Sequence, residues 1–332
     1  MNRIADDQDF AMQTVPIGRG VAVSSLGLGG AQFGNLGREI TDEECAGAID
    51  RAWRGGIRYF DTAPHYGLGL SELRLGALLR DYPRNDYTVS TKVGRLLVPT
   101  PERAGGLDDD GFAVPATHRR QFDFSRDGIV RSIEGSLERL QLDYLDIAYL
   151  HDPDAHWEAA STTGMSALEE LRDQGVVRAI GAGMNQSAML AEFVEKCDVD
   201  VVMLAGRYTL VDRHATTDLL PLARQRGVPV VAAGVYNSGL LSRQVVPADA
   251  LFEYDAAPPE LVARAREIAA VCADYGVELP DAAMQFPLRD PAIACVVIGV
   301  RGRAQVDQSL ERASRPIPDD VWHEIEAVMA RV

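Results

Sequence analysis

Three residues able to handle protons stand within six positions in "YFDTAPHYG" (59–67): Asp61, His65 and Tyr66, directly after an apolar run. A phenol with its ordinary pKa near ~10 is a poor acid–base at neutral pH. A neighbouring ammonium stabilises the phenolate and lowers that value, and a carboxylate keeps the ammonium charged and oriented. Lys92 in "TVSTKVG" can supply the ammonium, and His151 in "DIAYLHD" a further imidazole; each closes an apolar run of its own. A histidine beside the phenol can donate a hydrogen bond to a substrate oxygen where negative charge develops. Tyrosine, lysine and histidine around one oxygen suit reversible proton transfer coupled to hydride transfer. Such chemistry needs neither a serine or cysteine nucleophile nor a metal.

Singly, each residue has a plainer use: Asp61 as a loop cap, Lys92 as a solvated rim charge, Tyr66 as loop packing, His151 as a satisfied polar group. A lysine and an acid at the ends of neighbouring core strands are a different matter. A buried ion pair is a weak stability device and more often a functional one.

What brings them together is the order of elements. Short β-branched runs alternate with amphipathic helical stretches eight times, from "VSSLGLGGAQFG" with "TDEECAGAIDRAWRGG" to "IACVVIGV" with "RAQVDQSLERAS". Runs apolar on both faces suit a parallel sheet covered by helices. Eight such units in one chain predict a single α/β domain over residues 1–332, a closed (β/α)8 TIM barrel rather than an open doubly wound sheet. In that fold the C-terminal strand ends share one pocket, which places Asp61, Tyr66, Lys92 and His151 at one rim. Three segments fall outside the repeat. "GRG" between short apolar runs predicts an N-terminal β-hairpin. Residues 95–124 form an insertion loop over the active site, a mobile lid. "PDDVWHEIEAVMARV" predicts an extra C-terminal helix capped by Asp319. Thr41 and Glu44 form a capping box ahead of the first helix. Residues 1–12 are polar, acidic and expected to be flexible, unlike a signal or transit peptide.

The 332-residue composition, 46% hydrophobic and 25% charged, is that of a soluble globular chain. A net charge of −16 would repel phosphate backbones, so nucleic acid is not expected as a partner. No apolar run reaches the ~20 residues needed to span a bilayer, so no membrane partner is expected either. Cys45, Cys197, Cys272 and Cys295 lie far apart and read as reduced thiols of a cytoplasmic protein. "HDPDAH" at 151–156 raises a rival reading, a metal-dependent hydrolase. No second histidine cluster on the other strands supports it, and no metal is expected.

The motifs "YFDTAPHYGLGLSE", "STKVG", "LDIAYLHD", "IGAGMNQ" and "VVIGVRGRAQVDQSL" resemble those of the aldo-keto reductase superfamily, from about residue 14 to the C-terminal helix. The resemblance implies that Asp61, Tyr66, Lys92 and His151 are a catalytic tetrad with Tyr66 as general acid–base. It also implies a nicotinamide dinucleotide extended across the barrel top without a Rossmann domain. "SLGLGG" at 25–30 indeed lacks the rest of a dinucleotide fingerprint and reads as a tight strand-end turn, with Gly30 and Ala31 against the cofactor. Met184 and Asn185 stand where the family has a Ser-Asn pair for the carboxamide; Asn185 keeps that capacity. Ala205 and Ala233 replace a glutamine and a stacking aromatic, which leaves Tyr208 or Tyr236 to offer a ring face. "NSGLLSR" (237–243) resembles the pyrophosphate loop, with N–H groups of Ser238, Gly239 and Leu241 aimed at phosphate. Gly299 and Gln305 stand where NADP-preferring members have a lysine and an arginine, with Arg301 and Arg303 close by. That favours NAD, with NADP as the other candidate.

Within the superfamily, "TAPHYGLGLSE", "VVMLAGRYTLVDR" and "GVYNSGLL" are most similar to the D-threo-aldose (L-fucose, D-arabinose) 1-dehydrogenase branch, which also contains pyridoxal 4-dehydrogenase. Both reactions oxidise a cyclic hemiacetal to a lactone. The expected partner is a small sugar or a pyridoxal-like molecule, with a general aldehyde or ketone as the remaining alternative. His65, Asp152 and Trp157 are the expected substrate contacts, Trp157 as a wall of the sugar site. A non-catalytic, cofactor-binding regulator is the rival class, and a complete tetrad argues against it.

Overall fold

The computed structural model describes residues 12–331; of the N-terminal stretch expected to be flexible, residues 1–11 lie outside them. Eight parallel strands close into a barrel. They are β1 (Leu26–Gly29), β2 (Tyr59–Asp61), β3 (Thr88–Val93), β4 (Leu145–His151), β5 (Val177–Met184), β6 (Val202–Ala205), β7 (Val230–Ala233) and β8 (Ile293–Gly299). Closure runs through β8, where Val296, Val297 and Ile298 pair with Leu26, Gly27 and Leu28. The eight-unit reading of the sequence is therefore the observed α/β topology.

Two cores flank the barrel wall. Outward side chains such as Leu28, Phe60, Val89, Leu150, Ile180 and Val296 pack under the helices. Inward ones, including Tyr59, Ile147, Tyr149, Met203, Val231 and Cys295, fill the interior. The hairpin Thr14–Gly18/Val21–Ser24 plugs the N-terminal end with Ile17, Val21 and Val23, tied on by Thr88 Oγ1 donating to the Ala22 carbonyl at 2.7 Å. The "GRG" signal thus marks a real turn. A filled interior and a plugged end leave the opposite rim as the place for chemistry.

Helix starts follow local chemistry. The first helix, α1 (Asp42–Arg54), opens on the expected capping box: Glu44 N–H donates to Thr41 Oγ1 at 3.1 Å and Thr41 N–H to Glu44 Oε2 at 2.7 Å. The last, Asp319–Met329, differs from expectation, because Pro318 precedes it and no side chain caps it. Asp319 is its first helical residue, where with Asp320 it complements the helix dipole. A helix over Leu279–Gln285 escapes the sequence reading, since "VELPDAAMQFPL" looks like a turn. Pro280 sits in its first turn, where a missing N–H costs nothing, and Glu278 and Asp281 make the capping box.

The insertion is also more regular than expected. In place of an irregular loop, Arg95–Pro99 pairs antiparallel with His118–Phe122, Arg95 opposite Phe122. The tip is pinned to the loop after β1: Gly37 N–H donates to the Gly111 carbonyl at 2.9 Å and Ala113 N–H to the Asn35 carbonyl at 3.0 Å. "HRRQF" hides a strand because its long polar side chains carry no alternation. Among the described residues no helix is long and apolar enough to cross a membrane.

Candidate active site

The ends of β2, β3 and β4 are neighbours in the barrel, and they deliver Asp61, Lys92 and His151 to one rim, each almost fully buried. Tyr66 follows β2 in a tight turn, its N–H donating to the Ala63 carbonyl at 3.1 Å. The next residue, Gly67, has φ +63°, and a Cβ there would lie 2.3 Å from the Gly34 carbonyl oxygen. Only glycine lets the two loops approach so closely, and that approach fixes where the Tyr66 ring sits.

Lys92 Nζ spends its three protons within the site: on Asp61 Oδ2 at 2.6 Å, the Thr62 carbonyl at 3.0 Å and the Tyr66 hydroxyl at 3.0 Å. The other carboxylate oxygen of Asp61 accepts from Ser90 Oγ at 2.7 Å. Because Ser90 has one proton to give, Tyr59 donates to Ser90 at 2.9 Å, and Tyr149 lies 3.3 Å beyond. A hydrogen-bonded chain thus runs from the barrel interior to the Tyr66 hydroxyl. None of it is legible as a motif, since Ser90 and Tyr59 are ordinary strand residues in sequence.

The electrostatics refine the expected roles. Burial works against the Lys92 ammonium, but Asp61 and then Tyr66 outweigh it and lift its pKa above the ordinary lysine value. Lys92 is a fixed cation. For Tyr66 the expectation of a lowered pKa does not hold. Burial is the larger effect and raises it, while Lys92 pulls the other way and only partly compensates. Both histidines are neutral. Burial, then Arg95, Arg120 and Lys92, brings His65 down to about 3. Burial, then Arg95, Lys92, His65 and Arg120, holds His151 well below the usual imidazole range.

The rings of His65 and His151 stand edge-to-face at 5.5 Å, and His151 is 6.1 Å from the Tyr66 ring. His151 Nε2 lies 3.6 Å from Asp152 Oδ2. His65, Tyr66, His151 and Asp152 therefore form one cluster. Trp157 does not join it: its ring packs edge-on against Phe193 at 4.8 Å, under Lys196 at 5.3 Å, in the helical layer. The aromatic wall is instead Phe112, from the insertion tip, 5.2 Å from the His65 ring and 6.1 Å from that of Tyr66. Two arginines of the hairpin also reach in. Arg95 donates to Asp152 Oδ2 at 2.5 Å. Arg120 holds the Asp108 carboxylate at 2.6 and 3.0 Å and donates to the His65 carbonyl at 2.8 Å. Sequence reasoning missed Phe112, Arg95 and Arg120. The one available signal was a lone aromatic, "DGFAV", in a stretch otherwise polar and glycine-rich.

The remaining arc of the rim, β5–β6–β7–β8–β1, carries the residues expected at a dinucleotide. Gly30 N–H donates to the Asp61 carbonyl at 2.7 Å, which seats the Gly30–Ala31 step beside the acid. Met184 closes β5 and Asn185 follows it. Two buried acceptors on this arc, Gln32 Oε1 and Asn237 Oδ1, receive no hydrogen bond from the protein. A Cβ on Gly299 would come 2.5 Å from that Gln32 oxygen. Buried acceptors left open beside a glycine fit a hydroxyl- and amide-bearing cofactor.

The loop after β7 departs from expectation in detail. Ser238 and Gly239 do take positive φ, 54° and 100°. The N–H groups of Gly239 and Leu241, however, donate to the Tyr236 carbonyl at 3.0 and 3.1 Å, so of the three expected phosphate donors they are already engaged. Tyr208 packs on Phe286 at 5.0 Å, and Tyr236 lies under Arg312 at 5.9 Å; both rings are occupied in packing. Tyr254 is the exposed ring nearby, its N–H donating to Ser238 Oγ at 3.0 Å. At the end of β8, Arg301 N–H donates to Gln305 Oε1 at 2.6 Å and its guanidinium to the Leu36 carbonyl at 3.1 Å. Arg303 pairs with Asp307 at 3.8 Å.

A phenol, a fixed ammonium and two neutral imidazoles thus meet at the rim of a (β/α)8 barrel. The chain belongs to the Aldo/keto reductase family, whose model matches residues 25–330, and it is an oxidoreductase; the family uses nicotinamide cofactors. It is 47% identical over 309 residues to a D-threo-aldose 1-dehydrogenase from Pseudomonas sp, covering 92% of this chain and 94% of that one. It is 38% identical over 322 residues to a pyridoxal 4-dehydrogenase from Microbacterium luteolum, covering 91% and 93%. Among solved structures, a glycerol dehydrogenase from Gluconobacter oxydans aligns with a TM-score of 0.79 at 24% identity, covering 97% and 96% of the two chains, a likeness of fold alone.

Proposed function

We propose that the protein oxidises the cyclic hemiacetal of an aldose to its lactone, with Tyr66 as the acid–base. The observation that carries this reading is the buried Asp61–Lys92–Tyr66 chain facing two neutral histidines, in a chain 47% identical to an aldose dehydrogenase. A bound nicotinamide supplies the hydride acceptor at the anomeric carbon. The protein's own residues handle the proton and the charge. Tyr66, as phenolate stabilised by Lys92, removes the proton of the anomeric hydroxyl. His151, neutral and fixed, donates to the same oxygen and keeps it in line. Asp61 holds Lys92, and Phe112 keeps water from the reacting oxygen.

Asn185, Gln32 and Asn237 would hold the cofactor's amide and hydroxyl groups, with Ser238 at its phosphates. NAD is preferred over NADP. Gly299 and Gln305 offer no cation for a 2′-phosphate, and the Arg301 guanidinium donates to the Leu36 carbonyl. Four cysteines without a disulfide support a cytoplasmic setting. Pyridoxal is the second substrate reading, favoured by the 38% relative and by the flat Phe112 wall.

Mixing the protein with NAD or NADP and following reduced cofactor against L-fucose, D-arabinose and pyridoxal tests all of this. Turnover of a sugar with NAD ahead of NADP supports the reading. A pyridoxal-only signal replaces the substrate, and cofactor binding without any turnover removes the enzyme reading in favour of a regulator.

A further inference from the structure

Asp152 follows His151 directly, and its backbone has φ +41°, a left-handed conformation that glycine takes freely and other residues seldom do. A carboxylate is nonetheless kept there. Strain of this kind gathers where a side chain is wanted in one place. Asp152 Oδ2 lies 3.6 Å from His151 Nε2 and accepts from Arg95 at 2.5 Å. Arg95 Nε is buried and has no hydrogen-bond partner. Arg95 comes from the first position of the insertion hairpin, so the pair joins that hairpin to the end of β4. Arg95 Nε–H is left without a partner, and the Asp152 carboxylate keeps accepting capacity beyond its bond from Arg95, one step away from the His151 imidazole. A hydroxyl both donates and accepts, and is the group that satisfies both at once.

We propose that Arg95 and Asp152 together read the hydroxyl on the carbon next to the one oxidised, and so select an aldose. This rests on the aldose reading above and deepens it. Oxygens on neighbouring carbons match a donor and an acceptor that stand as close as the His151 imidazole and the Asp152 carboxylate, 3.6 Å apart. Pyridoxal has no such hydroxyl, because its hemiacetal carbon is bonded to a ring carbon that carries none. Neither residue acts as a catalytic acid or base; both are specificity determinants, and Arg95 had no signal in the sequence.

D-Arabinose and 2-deoxy-D-ribose differ only by that hydroxyl, which makes them the probe. In the wild-type protein with NAD, kcat/KM favours D-arabinose by roughly tenfold or more, mainly through KM. In Arg95→Met and in Asp152→Asn that ratio falls toward one, and the preference for D-arabinose over pyridoxal falls with it. Asp152→Gly relaxes the backbone and folds readily, yet loses the selectivity; Arg95→Lys keeps the charge but not the planar fork and recovers only part of it. Equal use of the two sugars by the wild type overturns the proposal, as does an unchanged ratio in the variants. Either result leaves hemiacetal oxidation standing. A wild-type protein that oxidises no sugar at all overturns both readings, and only that outcome touches the first.

Discussion

The Lys92 ammonium donates to the Tyr66 hydroxyl over 3.0 Å, the lysine buried and the tyrosine half-buried. In that setting burial raises the phenol's pKa and the lysine is the one strong force against it. Oxidation needs the phenolate, so activity rises with pH toward the Tyr66 pKa. Lys92→Met removes the opposing charge, and the rising limb of the pH–kcat profile moves further up while the rate at neutral pH falls. Steady-state rates from about pH 6 to 10 check it; an unmoved limb denies the coupling.

Phe112 gives the opposite shift. Its ring, 4% exposed, lies 6.1 Å from that of Tyr66 and contributes to the burial that raises the phenol's pKa. Phe112→Ala admits water, so the same limb moves down in pH while KM for substrate rises. Two variants with opposite displacements of one profile are hard to reproduce by general damage.

Ser90 tests the chain behind the site. Ser90→Ala leaves Asp61 Oδ1 and the Tyr59 hydroxyl without their partner in the barrel interior. Unmade buried hydrogen bonds cost about 1–3 kcal/mol each. A denaturant titration is expected to show a loss of that order, with kcat reduced because Asp61 is freed to turn from Lys92.

The two histidines make stability depend on pH. Folding holds His65 at about 3 and His151 well below normal, against ~6.5 in an unfolded chain. Below about pH 6.5 the unfolded chain binds protons that the folded one refuses, so stability is full above that value and is lost as pH falls. His65→Gln removes one of these sites. Thermal melts between pH 7 and 5 are expected to show a shallower fall for the variant than for the wild type.

The barrel, and the gathering of Asp61, Tyr66, Lys92 and His151 at its rim, were readable because they depend on local pattern and order. Apolar runs ended by Asp61, Lys92 and His151 need only the rule that strand ends share a rim. The second ring of residues depends on contacts that no spacing encodes. Phe112 reaches Tyr66 only because Asn35 and Gly37 pin the insertion tip. Arg95 meets Asp152 only because the chain turns at Gly94, where φ is +92°, between β3 and the hairpin. Trp157 is expected at the site from its place just after "HDPDAH", and Tyr208 or Tyr236 from the family resemblance. Their rings instead fill space against Phe193, Phe286 and Arg312. Aromatic residues serve packing so often that position in a loop says little of where the ring points.

The most direct test of the account compares wild-type protein with Tyr66→Phe, measuring both NAD binding and NAD reduction with L-fucose. The account predicts sugar-dependent reduction by the wild type, and a variant that binds NAD nearly as well but turns over less by a factor on the order of 10² or more. A Tyr66→Phe protein that still reduces NAD at a comparable rate would contradict it, because the proton would then leave by another route.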